Sequence, residues 1–318
     1  MASHVQWFLS TIKNNNKTMK WVYFSAGGTL VILFVIMSAY IKPNTPNTID
    51  VETSNYVQRV KAPKLPQSLD FASEEVPLSE TYVLESLDRE MLANCFRHSY
   101  TFLLIKRANK FFPIIEPILK KNKIPSDFKY LAVAESNLSN AISPAGAKGF
   151  WQFMKSTAKT KGLEVNSEVD ERYHLEKATQ AACDYLWEAY RKFGSWTLAA
   201  ASYNMGMSGL GKQRNFQNVD SYYDLKLNAE TARYIFRILA FKLIMTSPLD
   251  YGFEVDVEDL YSHVPATRRL DVDTTVLDWS VFAQHHGSTY KELKMYNPWL
   301  ISRKLTNKYQ KTYQIRLP

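Results

Sequence analysis

The chain has 318 residues, room for two folded units at ~150 residues per domain plus extensions. Hydrophobic residues make up 46% and charged residues 22%, a globular balance that argues against disorder. The net charge of +8 is dispersed with no run of five or more Lys/Arg, which gives a nucleic-acid role no support and leaves attraction to another polyanion, such as anionic lipid or acidic cell-wall polymer.

Aromatic residues reach 14%, which suits sugar binding and a dense core equally. The two cysteines, Cys95 and Cys183, have no metal-ligand spacing. Outside the cytoplasm they are a disulfide or two buried free thiols. The six histidines include no HExxH, so no zinc site and no other metal is expected.

Along the chain, residues 1–20 carry Lys13, Lys17 and Lys20, and Trp21–Ile41 follows without a charged side chain. At ~1.5 Å per residue that stretch spans a hydrocarbon core of ~30 Å. Trp21, Tyr23 and Tyr40 near its ends suit the interface, and the preceding lysines keep the N-terminus inside. The expectation is a single-pass anchor in a bacterial inner membrane, with everything after Lys42 in the periplasm. The competing reading, a cleaved signal peptide, lacks a small-x-small site after the apolar run. Residues 42–78 hold Pro43, Pro46, Pro63, Pro66 and Pro77 and read as a flexible tether.

From Ser79 helical spacing takes over. Leu84, Leu87, Met91 and Leu92 recur in phase, and further segments fall near 96–108, 110–122, 126–138, 151–161, 175–193, 196–204 and 229–246, punctuated by Pro113, Pro125 and Gly194. Residues 79–250 are expected to form an all-α domain. In 251–318, Phe253–Val257, Leu270–Asp273 and Tyr313–Leu317 alternate with period two. Between the last two, Val276–His286 and Tyr290–Tyr296 look helical. The predicted fold class is therefore mainly α: an all-α domain, preceded by a transmembrane helix and followed by a small βααβ module.

One segment carries chemistry. After Pro125, with Ser126 or Asp127 as cap, Phe128, Leu131, Glu135 and Leu138 fall on one helical stripe, which puts the Glu135 carboxylate on an apolar face. Burial there raises its pKa toward neutrality, as a general acid requires. On that ground alone, a helix-end Glu paired with an Arg stands beside the catalytic reading. The following Ser143–Met154 segment holds Gly146 and Gly149 in a tight loop suited to close backbone approach to a ligand. Gln152 and Met154 then open a helix.

Glu135-Ser136, the Ser-Pro-x-Gly-Ala-x-Gly-x-x-Gln-x-Met run at 143–154, Ala201-Ser202-Tyr203-Asn204-Met205-Gly206 and Glu230-Thr231-Ala232-Arg233-Tyr234-Ile235 resemble, in order, the motifs of the lytic transglycosylases related to goose-type lysozyme. Ser202 stands where the third motif has Ala. With its tether and C-terminal module the chain is similar to the membrane-bound lytic murein transglycosylase D type, although that type is often lipid-anchored. The resemblance implies a lysozyme-like fold and cleavage of the β-1,4 bond between N-acetylmuramic acid and N-acetylglucosamine in peptidoglycan strands, without a cofactor. Glu135 would protonate the glycosidic oxygen, the muramic 2-acetamido group would stabilise the cation, and Glu135 would then deprotonate the 6-hydroxyl, giving a 1,6-anhydro product. Ser136, Gln152, Met154, Tyr203, Asn204, Glu230 and Tyr234 would bind substrate.

Residues 268–318 resemble a divergent LysM module, with Asn297-Pro298 and Ile315-Arg316-Leu317-Pro318 in support. Thr274-Thr275-Val276-Leu277 replaces the usual Gly-Asp-Thr-Leu-like start, so glycan binding and a purely structural βααβ cap both stand. A hydrolytic muramidase of the same fold and a non-catalytic cell-wall scaffold remain the alternatives for the whole chain. Protein partners are not indicated.

Overall fold

The computed structural model describes residues 61–318. The anchor expected at Trp21–Ile41, the stretch before it and tether residues 42–60 lie outside the described residues. Among the described residues no helix is long and apolar enough to cross a membrane.

The first element among the described residues lies inside the expected tether. β1 (Asp70–Phe71) and β2 (Glu74–Glu75) form a two-stranded antiparallel hairpin. It turns through Ala72 and Ser73, both at positive φ. The Phe71 side chain is fully buried against Phe128, with ring centroids 5.2 Å apart. Glu74 accepts from the backbone N–H groups of Trp196 and Thr197. Residues 69–78 thus belong to the folded body rather than to a spacer.

Eight helices follow. α1 (Thr81–Cys95) buries Val83, Leu87, Met91 and Cys95 at four-residue spacing. Leu84, expected on that stripe, is exposed. α2 (His98–Lys121) is one helix through Pro113 and Pro117, not the two segments expected at 96–108 and 110–122. Each proline removes a hydrogen bond at a cost of about 3 kcal/mol, leaving the carbonyls of Asn109 and Pro113 without their helical donors. Buried Leu104, Ile105, Ala108, Ile115 and Leu119 hold the helix in place. α3 is Phe128–Ser136. Asp127 does not cap it through its side chain; its carboxylate accepts from Ala72 N and Lys242 Nζ, both at 2.8 Å, and ties in the hairpin.

The short α4 (Lys155–Thr160) begins later than the expected start at 151, because 149–152 is a turn and Phe153 bridges to Lys148. α5 (Leu175–Phe193), α6 (Trp196–Met205), α7 (Met207–Gln217) and α8 (Ala229–Thr246) complete the domain. α7 shows no apolar stripe and buries only Leu210, which is why its sequence gave no signal. α8 is central: it packs on α1, α3 and α6 and buries nine residues from Thr231 to Ile244. Cys95 and Cys183 are buried free thiols, which burial pushes up to about 11 and about 12.

The C-terminal module is β3 (Arg268–Val272), α9 (Trp279–His285), α10 (Tyr290–Tyr296) and β4 (Tyr313–Leu317). β3 and β4 pair antiparallel with Leu270 opposite Ile315 and Val272 opposite Tyr313. The expected strand at Phe253–Val257 does not form; Phe253 is instead a buried plug against Phe102. Trp279, Leu293, Ile315 and Leu317 centre a second core.

That second core also contains Val169, from the loop before α5. Around it Asp170 N donates to Trp299 O (2.9 Å), Thr306 N to Glu168 Oε2 (2.6 Å), Tyr313 Oη to Glu164 Oε1 (3.0 Å) and Arg316 Nη1 to Glu176 Oε1 (2.6 Å). The module is seated on the helical domain through residues 164–176.

Candidate active site

Glu135 occupies the last turn of α3. The helix stops because Asn137 and Leu138 both adopt left-handed backbone, at φ 56° and 51°. Asn tolerates that region and Leu does so only under constraint. The constraint is visible: Tyr100 Oη donates to Asn137 Oδ1 at 2.5 Å and Arg107 Nη1 donates to Asn137 O at 2.9 Å. Leu138 is buried beyond the helix end rather than on its stripe.

The Glu135 carboxylate is half-buried and faces α8 and α6. Tyr234 Oη, from α8, donates to Oε1. Among the described residues Glu135 forms no ion pair, so the reading of a helix-end Glu neutralised by an Arg does not describe it. Burial pushes its carboxyl up to about 7; the Tyr234 hydrogen bond pulls it down, the Glu230 charge adds to the rise, and Arg237 opposes it. Glu230, Tyr234 and Arg237 share one face of α8 at i, i+4 and i+7. Asn228 fixes the start of that helix, its Oδ1 accepting from Glu230 N (3.1 Å) and Thr231 N (3.0 Å).

Two expectations for pH follow. A general acid at this position would have to hold its proton, so activity would fall as pH rises through its pKa. Tyr234→Phe removes a donor that favours the ionised form and is expected to move that basic limb to higher pH. Glu230→Gln removes a like charge and moves it lower. Profiles of kcat/KM check both, and a shared direction contradicts the assignment. The raised pKa also bears on stability. Between about 4.5 and about 7 the folded acid stays protonated while the unfolded one ionises, so this group's contribution is full below the unfolded value and lost as pH rises through the folded one. Glu135→Gln lacks that loss. Its stability relative to wild type should increase from pH 4.5 to pH 7 and then level off; urea midpoints that differ equally at all pH values contradict this.

The other expected site residues divide into two groups. Tyr203 and Asn204 come from α6. Tyr203 Oη donates to Trp151 O at 2.8 Å, and burial beside Glu135 raises its hydroxyl well above the usual range. Asn204 Oδ1 accepts from Thr231 Oγ1 at 2.8 Å and its Nδ2 donates to Glu230 Oε1 at 3.4 Å. Glu135, Tyr203, Asn204, Glu230 and Tyr234 are thus gathered between α3, α6 and α8. Tyr234 is 1% exposed and touches the acid rather than lining the cleft wall.

Ser136 and Gln152 point elsewhere. Ser136 is 2% exposed and its hydroxyl donates to Ala132 O at 3.2 Å, so it supports the turn and does not reach the cleft. Gln152, at φ 48°, donates from Nε2 to Ala141 O (3.1 Å) and Gly149 O (2.8 Å) and braces the glycine loop from within. Met154 stays 44% exposed on that loop and is free to meet a ligand. Ile142, which sequence reasoning passed over, is exposed in the same loop.

The two glycines serve different ends. Gly146 closes a turn, its N–H donating to Ser143 O at 2.9 Å. Gly149 has φ 80°, and a Cβ there would stand 1.9 Å from Arg172 O. Its close approach is to protein, not to a ligand. Arg172 is the hub of the loop: it forks onto Asp170 with Nε–Oδ1 2.8 Å and Nη2–Oδ2 2.7 Å, and its Nη1 donates to Gly146 O and Phe153 O, both at 3.2 Å. Asp170 in turn holds the C-terminal module. Arg172 and Asp170 were not anticipated, because neither falls in a recognised motif.

Glu90 was also missed. It lies on the buried face of α1 at 1% exposure and pairs with Arg233 at 2.6 Å and Arg237 at 3.8 Å, so it anchors the α8 face that meets Glu135. No group of His, Cys, Asp and Glu among the described residues is arranged to hold a metal ion.

Residues 112–226 match the Transglycosylase SLT domain family, and residues 268–318 match the Soluble lytic transglycosylase C-terminal LysM-like domain. Two curated relatives, each named membrane-bound lytic murein transglycosylase D, come from Escherichia coli strains K12 and O6:H1. Each is 27% identical over 205 residues, covering 63% of this chain and 44% of the relative. The chain therefore spans less than half the length of the curated relatives it matches.

Proposed function

From a chain that carries a transglycosylase SLT domain followed by a LysM-like module, we propose a peptidoglycan lytic transglycosylase that cuts between N-acetylmuramic acid and N-acetylglucosamine and closes a 1,6-anhydro ring. The observation that carries this reading is a single half-buried carboxyl, Glu135, held near neutrality by burial and touched by a tyrosine hydroxyl rather than by a cation.

Such a group serves twice. Protonated, it donates to the glycosidic oxygen as the bond breaks; ionised, and now steadied by the Tyr234 hydroxyl, it accepts the proton of the sugar's 6-hydroxyl. The muramic acetamido oxygen supplies the internal nucleophile that a second carboxylate provides in most glycosidases. Tyr203 and Asn204 border the acid on the α6 side, and Met154 offers an apolar face to a sugar ring. The anchor expected at Trp21–Ile41 would hold this domain at the outer face of the inner membrane, within reach of the cell wall.

The test is digestion of purified peptidoglycan by the full chain in detergent, with release of soluble fragments followed by chromatography. Fragments released by wild type and absent with Glu135→Gln support the reading. Glycan binding without any release would instead indicate a cell-wall scaffold.

A further inference from the structure

The turn that ends α3 delivers Asn137, two residues beyond Glu135, into a group of guanidinium side chains. Arg107 donates to its carbonyl, and Tyr100 donates to its side-chain oxygen. Arg97 lies over the Tyr100 ring, its guanidinium carbon 3.9 Å from the centroid. Burial raises the Tyr100 hydroxyl, and the charges of Arg97, Arg237 and Arg107 all pull against that rise.

Their charge is poorly balanced. The buried acid Glu90 is engaged by Arg233 and, more loosely, by Arg237. Among the described residues neither Arg97 nor Arg107 forms an ion pair, although both carry a fork of N–H donors matched to a carboxylate. Arg97 is exposed, and Arg107, Tyr100 and Arg237 are half-buried, so the group is open to solvent and partly pre-ordered by its own packing. Arg97 and Arg107, like charges without an ion-pair partner, repel one another, and an arriving anion relieves that repulsion.

We propose that Arg97 and Arg107, backed by Arg237, bind a free carboxylate of the stem peptide carried by the muramic residue at the scissile bond. The inference rests on the transglycosylase reading. The sugars of the strand are neutral amides, its carboxylates lie on the stem, and the stem leaves the very residue whose glycosidic bond Glu135 would cleave. A cationic site beside that acid therefore meets the one anionic part of the stem-bearing substrate in its own neighbourhood, and it would make the enzyme favour strands whose stem carboxylates are free over strands in which they are amidated.

The experiment compares the full chain on two substrates: glycan strands whose stem peptides keep their free carboxylates, and the same strands with those carboxylates converted to amides by a carbodiimide and excess ammonia. For Arg97→Ala the ratio of kcat/KM on carboxylate to amidated strands should fall about fivefold, mainly through KM. Arg97→Glu should lower it further, and Arg97→Lys should restore part of it. A change below twofold in both Arg97→Ala and Arg97→Glu overturns the proposal while leaving the transglycosylase reading standing. A wild-type chain that cuts neither substrate overturns both.

Discussion

Glu135→Gln is expected to lower glycan cleavage by about 10³- to 10⁴-fold, the upper part of the range for losing a general acid-base group, because in the proposed mechanism one carboxyl acts twice in each turnover. The amide has the same shape and still accepts the Tyr234 hydroxyl hydrogen bond, but it has no proton to donate and no basicity with which to take one. Neutral at every pH, it is also better suited to its half-buried place than an ionised carboxylate. Folding should therefore survive, and melting at neutral pH should be no lower than wild type. Initial rates of fragment release, read beside a thermal melt, check this. Residual activity within tenfold of wild type, in a protein of unchanged melting temperature, would remove Glu135 from the chemistry.

The second large effect concerns stability. Arg172 is 4% exposed and Asp170 1%, and their two-pronged ion pair holds the Gly146 and Phe153 carbonyls as well. Arg172→Ala strands a buried carboxylate, leaving only Lys148 at 3.6 Å to offset it. A loss of about 3 kcal/mol is expected from breaking such a pair on one side. Arg172→Lys should not rescue it, since an ammonium cannot fork onto Asp170 and reach both carbonyls. Removing both charges, as Asp170→Asn with Arg172→Met, should cost less than Arg172→Ala alone, because no charge is left buried. Urea unfolding measures all three, and a double variant less stable than the single one contradicts the account. Asp170 also bonds to Trp299, so the same change is expected to loosen the C-terminal module.

How far the sequence reveals this molecule depends on the range of the interaction concerned. α5 and α8 follow from local periodicity, and the βααβ order of the module follows from alternation and two short helical patches. Strands of two residues show no alternation, so the hairpin that buries Phe71 reads as part of a proline-rich tether. Pro113 reads as punctuation between helical segments, and only the packing of α2 shows that it and Pro117 are tolerated within one helix. Glu135 is legible because a carboxylate on an apolar stripe is conspicuous. Glu90 carries the same mark, sitting between Leu87 and Met91 on α1, and what separates the two is distant in sequence: arginines surround Glu90, whereas a tyrosine 99 positions along the chain meets Glu135. Gly149 is recognisable as a residue that must be small, but the carbonyl it makes room for belongs to Arg172. Ser136, taken with its neighbour as a site residue, turns its hydroxyl back into α3.

The mass of the fragments tests the central claim most directly. Peptidoglycan digested by the full chain in ¹⁸O-labelled water should yield muropeptides ending in an anhydro sugar, lighter by one water than hydrolysis products and free of label, since ring closure consumes no water. Reducing-end fragments carrying ¹⁸O would contradict the lytic transglycosylase mechanism and make the same Glu135 the acid of a hydrolytic muramidase.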